Sequence, residues 1–247
     1  MKNLLSRIFV PVFFALHAGC AGPEPAAPVA RRPAAAPASR AASTRPGIND
    51  RFKNRPDPAE WLKRFEVESR EIYRERERIA DAIGLRPGMA VADIGAGTGF
   101  FTLLFARRVG PGGTVWAVDI APTFLDEIAR RARAEGLANV RTVLGRDDST
   151  ALSPASVDLA FVCATYHHFE FPEKMLHAIR RTLRPGGRLV VIDFERIEGT
   201  SRQWVLDHVR ADRQQVAAEI RAAGFEPMGE ITVDGLTENY LLQFRRP

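Results

Sequence analysis

Residues 91–101 read Val-Ala-Asp-Ile-Gly-Ala-Gly-Thr-Gly-Phe-Phe, an apolar run followed by three alternate glycines and a second apolar run. This order predicts a β-strand, a tight turn and the start of a helix. Glycines carry no Cβ atom, so a turn rich in them can approach a ligand closely. The spacing G-x-G-x-G differs from the dinucleotide pattern G-x-G-x-x-G, and glycine-rich turns also arise from packing alone. Taken by itself, the turn leaves a ligand site and a packing role open.

Two later acidic positions favour the ligand site. The apolar run at residues 114–118 ends in Asp119, about twenty residues after Gly99, where a nucleotide-binding unit places a carboxylate on ribose hydroxyls. A third apolar run, at residues 140–144, is followed by Gly-Arg-Asp-Asp. Because parallel strands end at one edge of their sheet, these acids are expected near the glycine turn.

The rest of the chain alternates between strand and helix patterns. A helix–strand alternation of this kind is typical of an open, doubly wound α/β sheet, whose ligand crevice lies where the strand order reverses. The pattern predicts helices over 100–108, 122–135, 173–183 and 213–223, and strands over 91–94, 114–119, 140–144, 157–162, 188–194, 225–233 and 239–245.

Four motifs in this order resemble class I S-adenosylmethionine-dependent methyltransferases, in particular the ubiquinone/menaquinone-methyltransferase-like or arsenite-methyltransferase-like branch. The resemblance covers residues 87–247 and implies a mostly parallel, seven-stranded Rossmann-like sheet with an antiparallel last strand. The motifs are VADIGAGTGFF, VWAVD, GRDDSTALSPASVDLAFV and LRPGGRLVVIDF.

The amino-terminal residues predict export. Residues 1–20 have a basic start, an apolar middle and a small-residue exit, as a signal peptide does. Gly19-Cys20 also resembles a lipoprotein cleavage box, in which Cys20 would carry a membrane tether, although His17 stands where that box usually has leucine. Ordinary signal cleavage and a misassigned start codon are the alternatives. The expected location is the cell envelope if the signal is processed, and otherwise the cytoplasm.

Two segments separate this signal from the methyltransferase-like domain. Residues 21–49 consist mainly of alanine, proline and arginine, which predicts a disordered linker. Residues 50–86 predict a helical cap, with Asp57 and Pro58 starting one long helix that Gly84 ends. Its charged face, which includes Glu71 and Glu75, is expected in solvent. Its apolar face either covers the sheet or brings Phe65 or Tyr73 to the ligand.

Composition excludes several classes of protein. The formal net charge of +5 is spread among acidic residues, so we do not expect a nucleic-acid partner. The two cysteines, Cys20 and Cys163, are too few and too distant for a disulfide framework or a cysteine metal cluster.

The resemblance implies S-adenosylmethionine as the cofactor and assigns acids to its parts. Asp93 would hold the methionine end and Asp119 the two ribose hydroxyls. Asp148 stands four residues before Leu152, as the family's adenine-binding acid does, and Asp147 competes for that role. The remaining expected cofactor-binding residues are Gly95, Ala96, Gly97, Thr98, Gly99, Ile120 and Ala164.

The segment after the fourth strand is where the family lines the methyl-transfer site, which makes Tyr166, His167 and His168 the catalytic candidates. The histidines could serve as proton acceptor, substrate donor or metal ligand. No other clustered histidine or cysteine accompanies them in the sequence, so we expect no metal site. Residues 195–210, with Trp204 and His208, are expected to form a lid over the substrate.

These features together predict a methyltransferase that acts on a small-molecule acceptor. Arsenite is disfavoured, because the family's arsenic enzymes use several cysteines and this domain has only Cys163. The alternative is a noncatalytic, envelope-tethered protein that binds S-adenosylmethionine or S-adenosylhomocysteine. Export motivates that alternative, since the cofactor is made in the cytoplasm.

Overall fold

The computed structural model describes residues 42–247. The predicted signal peptide, Cys20 and most of the predicted linker lie outside the described residues, so export and the tether stay predictions. Within residues 42–247 no helix is long and apolar enough to cross a membrane. The helices are α1 (Asp50–Lys53), α2 (Pro58–Phe65), α3 (Glu71–Arg74), α4 (Arg76–Ala82), α5 (Phe100–Val109), α6 (Pro122–Ala134), α7 (Pro172–Thr182), α8 (Gln203–His208) and α9 (Arg213–Ala222), with a 3₁₀ turn at Tyr166–His168.

Seven strands form one sheet in the order β3-β2-β1-β4-β5-β7-β6. The strands are β1 (Ala90–Ile94), β2 (Thr114–Asp119), β3 (Val140–Leu144), β4 (Val157–Cys163), β5 (Leu183–Phe194), β6 (Glu226–Glu230) and β7 (Asn239–Arg245). Strands β1 to β5 pair in parallel, and β7 is antiparallel to both β5 and β6. The predicted fold class is therefore confirmed. The order reverses between β1 and β4, which places the ligand crevice at their carboxyl ends.

Successive side chains of the central strands pack alternately into two apolar cores, one on each face of the sheet. Ala92 and Val162 point toward α7 and α9, while Val91 and Phe161 point toward α4 and α5. This alternation is the period-two pattern of a sheet covered on both faces. Because both faces are packed, the strands give the crevice a rigid floor.

The glycine turn is fixed by backbone bonds and by close packing. The amides of Gly95 and Ala96 both donate to the carbonyl of Val118, at 2.8 and 3.1 Å. Gly95 has a φ of 72°, and a Cβ there would lie 2.2 Å from Cγ2 of Thr165. Glycine is therefore required at this position both by conformation and by the loop that follows β4.

The cap differs from its prediction, because the expected long helix is three short ones. Helix α2 ends at Phe65, and the side chain of the capping residue Glu66 pairs with Arg131 of α6 at 2.6 Å. After the break, α3 and α4 bury Ile72 and Ile79 against the sheet. The break lets α2 lie over the glycine turn while α4 covers the core, which one straight helix could not do.

The predicted solvent face of the cap is also wrong at Glu71, which is buried. Its carboxylate accepts hydrogen bonds from the amide and hydroxyl of Thr237, at 2.7 and 3.0 Å, and from the amide of Glu238, at 2.9 Å. Three donors offset the cost of burying this charge. The cap is therefore joined to the segment before β7, a contact that sequence periodicity does not reveal.

Two further segments differ from expectation. Residues 42–49, assigned to a disordered linker, contact the fold: the amide of Thr44 donates to the carbonyl of Glu170 at 2.9 Å, and Asn49 is buried. Strand β5 begins at Leu183 rather than at the predicted Arg188, because residues 184–187 are accommodated as an irregularity in the pairing with β4.

Candidate active site

A cavity of 690 Å³ opens at the carboxyl ends of β1, β2, β4 and β5 and is covered by the cap and α8. Its size is that of a small-molecule site, for which roughly 300–1,000 Å³ is usual. The predicted site residues that line it are Asp93, Gly95, Ala96, Gly97, Asp119, Ile120, Asp147, Ala164, His167 and His168. Thr98, Gly99, Asp148 and Tyr166 are not among the lining residues.

Asp119 lies at the end of β2 with its carboxylate buried in the crevice. One oxygen, Oδ2, accepts from the amide of Gly97, and the other, Oδ1, accepts from the amide of Ala121, both at 2.8 Å. Burial raises the pKa of Asp119 to about 6, against the opposing effect of these hydrogen bonds. Each oxygen keeps a further lone pair, so the carboxylate can accept from two more donors while it holds the turn.

Asp93, at the end of β1, is the second buried acid of the crevice. Its Oδ2 accepts from the hydroxyl of Thr102 at 2.6 Å. Burial raises the pKa of Asp93 to about 7, although the Thr102 hydrogen bond works in the opposite direction. A cationic ligand group beside Asp93 would stabilise its ionised form.

Thr98 and Gly99, which were predicted to bind cofactor, pack against α6 and are not among the residues that line the cavity. The carbonyl of Thr98 accepts from Arg131 at 2.9 Å, and its side chain is buried. Gly99 has a φ of 84°, and a Cβ there would lie 2.5 Å from Cγ1 of Ile128. The turn thus curls away from the cavity after Gly97 and packs on α6.

The two acids after β3 point in different directions. Asp147 lines the cavity, where Oδ1 accepts from Nδ2 of Asn49 at 3.0 Å and Oδ2 pairs with Nζ of Lys53 at 2.7 Å. The Asp148 side chain is 37% exposed and lies 3.7 Å from Arg146. The structure therefore places Asp147, and not the preferred candidate Asp148, in the cavity wall.

His167 is held by an acid on the neighbouring strand. Asp193 of β5 accepts from the backbone amide of His167 at 3.0 Å, and its other oxygen lies 2.7 Å from Nδ1 of the ring. A carboxylate can only accept, so Nδ1 carries the proton and Nε2 is left with a free lone pair. Both side chains are buried, which fixes the ring's position.

His208 of α8 lies beside His168, although the two residues are forty positions apart in the sequence. Nε2 of His208 lies 3.4 Å from Nε2 of His168. Burial is the main cause that lowers the pKa of His168 to about 2 and the pKa of His208 to about 4. Both rings are therefore neutral at pH 7. No metal site was expected because no third histidine lies near His167 and His168 in the sequence, but the fold brings His208 beside them.

Tyr166 is not placed to accept a proton in the cavity, contrary to the prediction. Its hydroxyl donates to Oε2 of Glu219 at 2.8 Å, and its ring is buried in the core against Phe169. Burial raises the pKa of Tyr166 well above its usual value. The 3₁₀ turn directs Tyr166 into the core and the two following histidines toward the cavity.

Arg70 lines the cavity and was missed by the sequence analysis. It lies between α2 and α3, where Nη1 donates to the carbonyl of Phe65 at 3.0 Å and the guanidinium stacks 5.1 Å from the Phe65 ring. Burial lowers the pKa of Arg70. Nothing in the sequence separates this arginine from the other charged residues of the cap, because its position depends on the break after Glu66.

Comparison with known proteins agrees with this geometry. Residues 92–191 match the family model described as a methyltransferase domain. A ubiquinone/menaquinone biosynthesis C-methyltransferase of Bordetella avium (strain 197N) is 32% identical over 113 residues, covering 46% of this chain and 44% of that protein. A nocamycin O-methyltransferase of Saccharothrix syringae is 38% identical over 114 residues, covering 45% of this chain and 40% of that protein. The chain thus matches less than half the length of both relatives.

Solved structures share the fold. A SAM-dependent methyltransferase from Aquifex aeolicus superposes with a TM-score of 0.68 at 22% identity, covering 78% of this chain and 100% of that one. A geranyl diphosphate C-methyltransferase from Streptomyces coelicolor A3(2) superposes with a TM-score of 0.58 at 18% identity, covering 70% and 76% of the two chains. Residues 92–191 therefore match a methyltransferase domain, and residues 42–247 have the fold of solved S-adenosylmethionine-dependent methyltransferases.

Proposed function

We propose that this protein transfers the methyl group of S-adenosylmethionine to a small-molecule acceptor bound beside His167. The observation that carries the proposal is that one cavity joins the glycine turn and Asp119 to the His167–Asp193 pair. The glycine turn and Asp119 suit a nucleoside, and the His167–Asp193 pair suits an acceptor group that must lose a proton.

The crevice fits the cofactor through its acceptor atoms. Asp119 keeps a free lone pair on each oxygen, which matches the two neighbouring ribose hydroxyls. Asp93 uses one oxygen for Thr102 and can take the methionine ammonium with the other. Asp147 is the acid available for the adenine amine. Arg70, which is half-buried in the wall of the same cavity, would pair with the methionine carboxylate.

S-adenosylmethionine supplies a sulfonium methyl, which a lone pair of the acceptor takes as the S–C bond breaks and its electrons stay on sulfur. The protein's residues hold the acceptor on that axis and receive its proton. Nε2 of His167 can take the proton, because Asp193 keeps the ring's own proton on Nδ1. The same carboxylate would stabilise the imidazolium that forms. A positioned base of this kind contributes about 10²–10⁴-fold to the rate.

Aromatic side chains shape the acceptor end of the cavity. The Phe194 ring lies 5.8 Å from the His167 ring, and Trp204 lies 5.2 Å from Phe194 and 5.1 Å from His208. Flat aromatic faces around imidazoles favour an aromatic or conjugated acceptor over a sugar. The two relatives are named as a C-methyltransferase and an O-methyltransferase, so both hydroquinones and phenols belong among the acceptors to be tested.

The test is transfer of label from methyl-labelled S-adenosylmethionine by the full-length chain, with phenols, hydroquinones and a small-molecule cell extract as acceptors. We expect a labelled product, and a 10²–10⁴-fold slower reaction with His167→Ala. The matched control is His177→Ala, because the His177 side chain is 60% exposed on α7, outside the cavity. Absence of any labelled product, or a wild-type rate from His167→Ala, would refute the proposal.

A further inference from the structure

We propose that His167, His168 and His208 form a binding site for one divalent transition metal ion, Zn²⁺ being the best match. One ring nitrogen from each histidine lies within 4.8 Å of those of the other two. The three rings line the cavity, so a metal ion there would keep an open position toward the acceptor. Three protein ligands and one open position are the arrangement of catalytic zinc sites.

The distance between two of the nitrogens fits a shared metal ion better than a hydrogen bond. With Zn–N bonds of about 2.0–2.1 Å and tetrahedral angles, two ligand nitrogens are roughly 3.4 Å apart. Nε2 of His168 and Nε2 of His208 are separated by 3.4 Å. An N–H···N bond would be shorter, since such bonds cluster near about 3.0 Å. A ring nitrogen of His167 lies no more than 4.8 Å from those of the other two histidines.

The surroundings of His167 are those of a metal ligand. Its Nδ1 is engaged by Asp193 at 2.7 Å, which leaves Nε2 as the nitrogen for the metal. Metal-bound histidines commonly donate their other ring nitrogen to a carboxylate, which orients the ring and increases its basicity. Asp193 is itself fixed, because it also accepts from the amides of His167 and Phe194.

Nearby charges indicate what the open position would hold. Arg45 donates to the backbone carbonyls of Asp207 and His208, and the Arg51 guanidinium lies 4.7 Å from the Phe52 ring, which in turn contacts His168. Both guanidinium groups would add positive charge to that of the dication, and Asp193 is the carboxylate bonded directly to one of the three rings. The site would therefore favour an anionic oxygen at the open position.

This inference rests on the proposed function for its consequence, since the acceptor would be a phenol, enol or other weakly acidic hydroxyl compound bound to the metal as its oxyanion. A bound divalent ion lowers the pKa of a coordinated oxygen acid. In the metal-loaded protein Nε2 of His167 would be a ligand and could not also take the acceptor's proton, which would leave to solvent when the acceptor binds. His167 would act as the base only in the metal-free protein. The metal site itself is testable without knowing that acceptor.

The experiment titrates the chelator-stripped, full-length chain, without a histidine tag, with Zn²⁺ by calorimetry and with Co²⁺ by visible absorption. We expect one equivalent of tightly bound Zn²⁺ and the intense Co²⁺ bands of a four-coordinate site. Asp193→Asn should weaken Zn²⁺ binding by about 10–100-fold, and His208→Ala by at least as much. The exposed-histidine variant His177→Ala should bind like the wild type.

S-adenosylhomocysteine is titrated into the same samples. Retained binding in His208→Ala shows that the variant is folded, and it separates this proposal from the proposed function, because the two ligands are measured independently. Wild-type protein that binds no Zn²⁺, or His208→Ala that binds it with unchanged affinity, would overturn the metal site. Wild-type protein that binds no S-adenosylhomocysteine would instead contradict the cofactor assignment and leave the metal site unaffected.

Discussion

Replacement of Asp119 by asparagine should weaken cofactor binding and also loosen the glycine turn. The carboxylate has two structural donors, the amides of Gly97 and Ala121, both at 2.8 Å. Asparagine has a single oxygen, so its NH₂ group must face one of these amides. The same NH₂ group replaces an acceptor that a ribose hydroxyl would use.

The size of each effect follows from the number of lost acceptors. A buried donor without its acceptor costs about 1–3 kcal/mol. For one ribose hydroxyl this corresponds to a roughly 5- to 140-fold higher Kd, at about 1.4 kcal/mol per factor of ten. For the orphaned amide it lowers the free energy of unfolding by about the same 1–3 kcal/mol. Both losses are expected together, because one side chain performs both tasks.

The assay is calorimetric titration with S-adenosylhomocysteine, paired with chemical denaturation of the ligand-free protein. The control is Asp148→Asn, which makes the same chemical change at a 37% exposed side chain outside the cavity. Unchanged affinity in Asp119→Asn would refute the ribose assignment. Equal losses in both variants would show that the effect is not specific to the crevice.

Two further predictions concern the other acids of the crevice. Asp147→Asn should weaken S-adenosylhomocysteine binding more than Asp148→Asn does, because of these two acids only Asp147 lines the cavity. Equal affinities of the two variants would restore Asp148 as a candidate. Cofactor affinity, measured by calorimetry from pH 5 to 9, should fall as the pH drops through about 7 and should level off only about one unit above that value. Burial raises the pKa of Asp93 to about 7 and that of Asp119 to about 6, and protonation removes the acceptors that the ligand needs. A flat profile, or tighter binding in acid, would contradict this sign.

The strand and helix order was predictable because it depends on local periodicity. The strands at residues 114–119 and 140–144 were predicted with their observed bounds, and Asp119 was placed in the crevice by its distance from the glycine turn. Asp57 was recognised as a helix cap, and its carboxylate accepts a hydrogen bond from the backbone amide of Ala59. Such features involve neighbours in sequence, which a single chain displays directly.

The site residues that were predicted incorrectly depend on features that periodicity does not show, namely how a turn directs its side chains and where a short helix packs. Asp147 and Asp148 are adjacent and chemically identical, and only the turn after β3 decides which one faces the cavity. The 3₁₀ turn directs Tyr166 into the core in the same way. The contact between His168 and His208 depends on where α8 packs, and no periodic pattern encodes that position.

The measurement that tests the central claim most directly is titration of the wild-type, full-length chain with S-adenosylhomocysteine, the demethylated form of the cofactor. The structure predicts one equivalent bound, with the affinity decreasing in Asp119→Asn and unchanged in Asp148→Asn. Absence of binding at pH 7.5, where Asp93 and Asp119 are mainly ionised, would contradict the assignment of this cavity to S-adenosylmethionine.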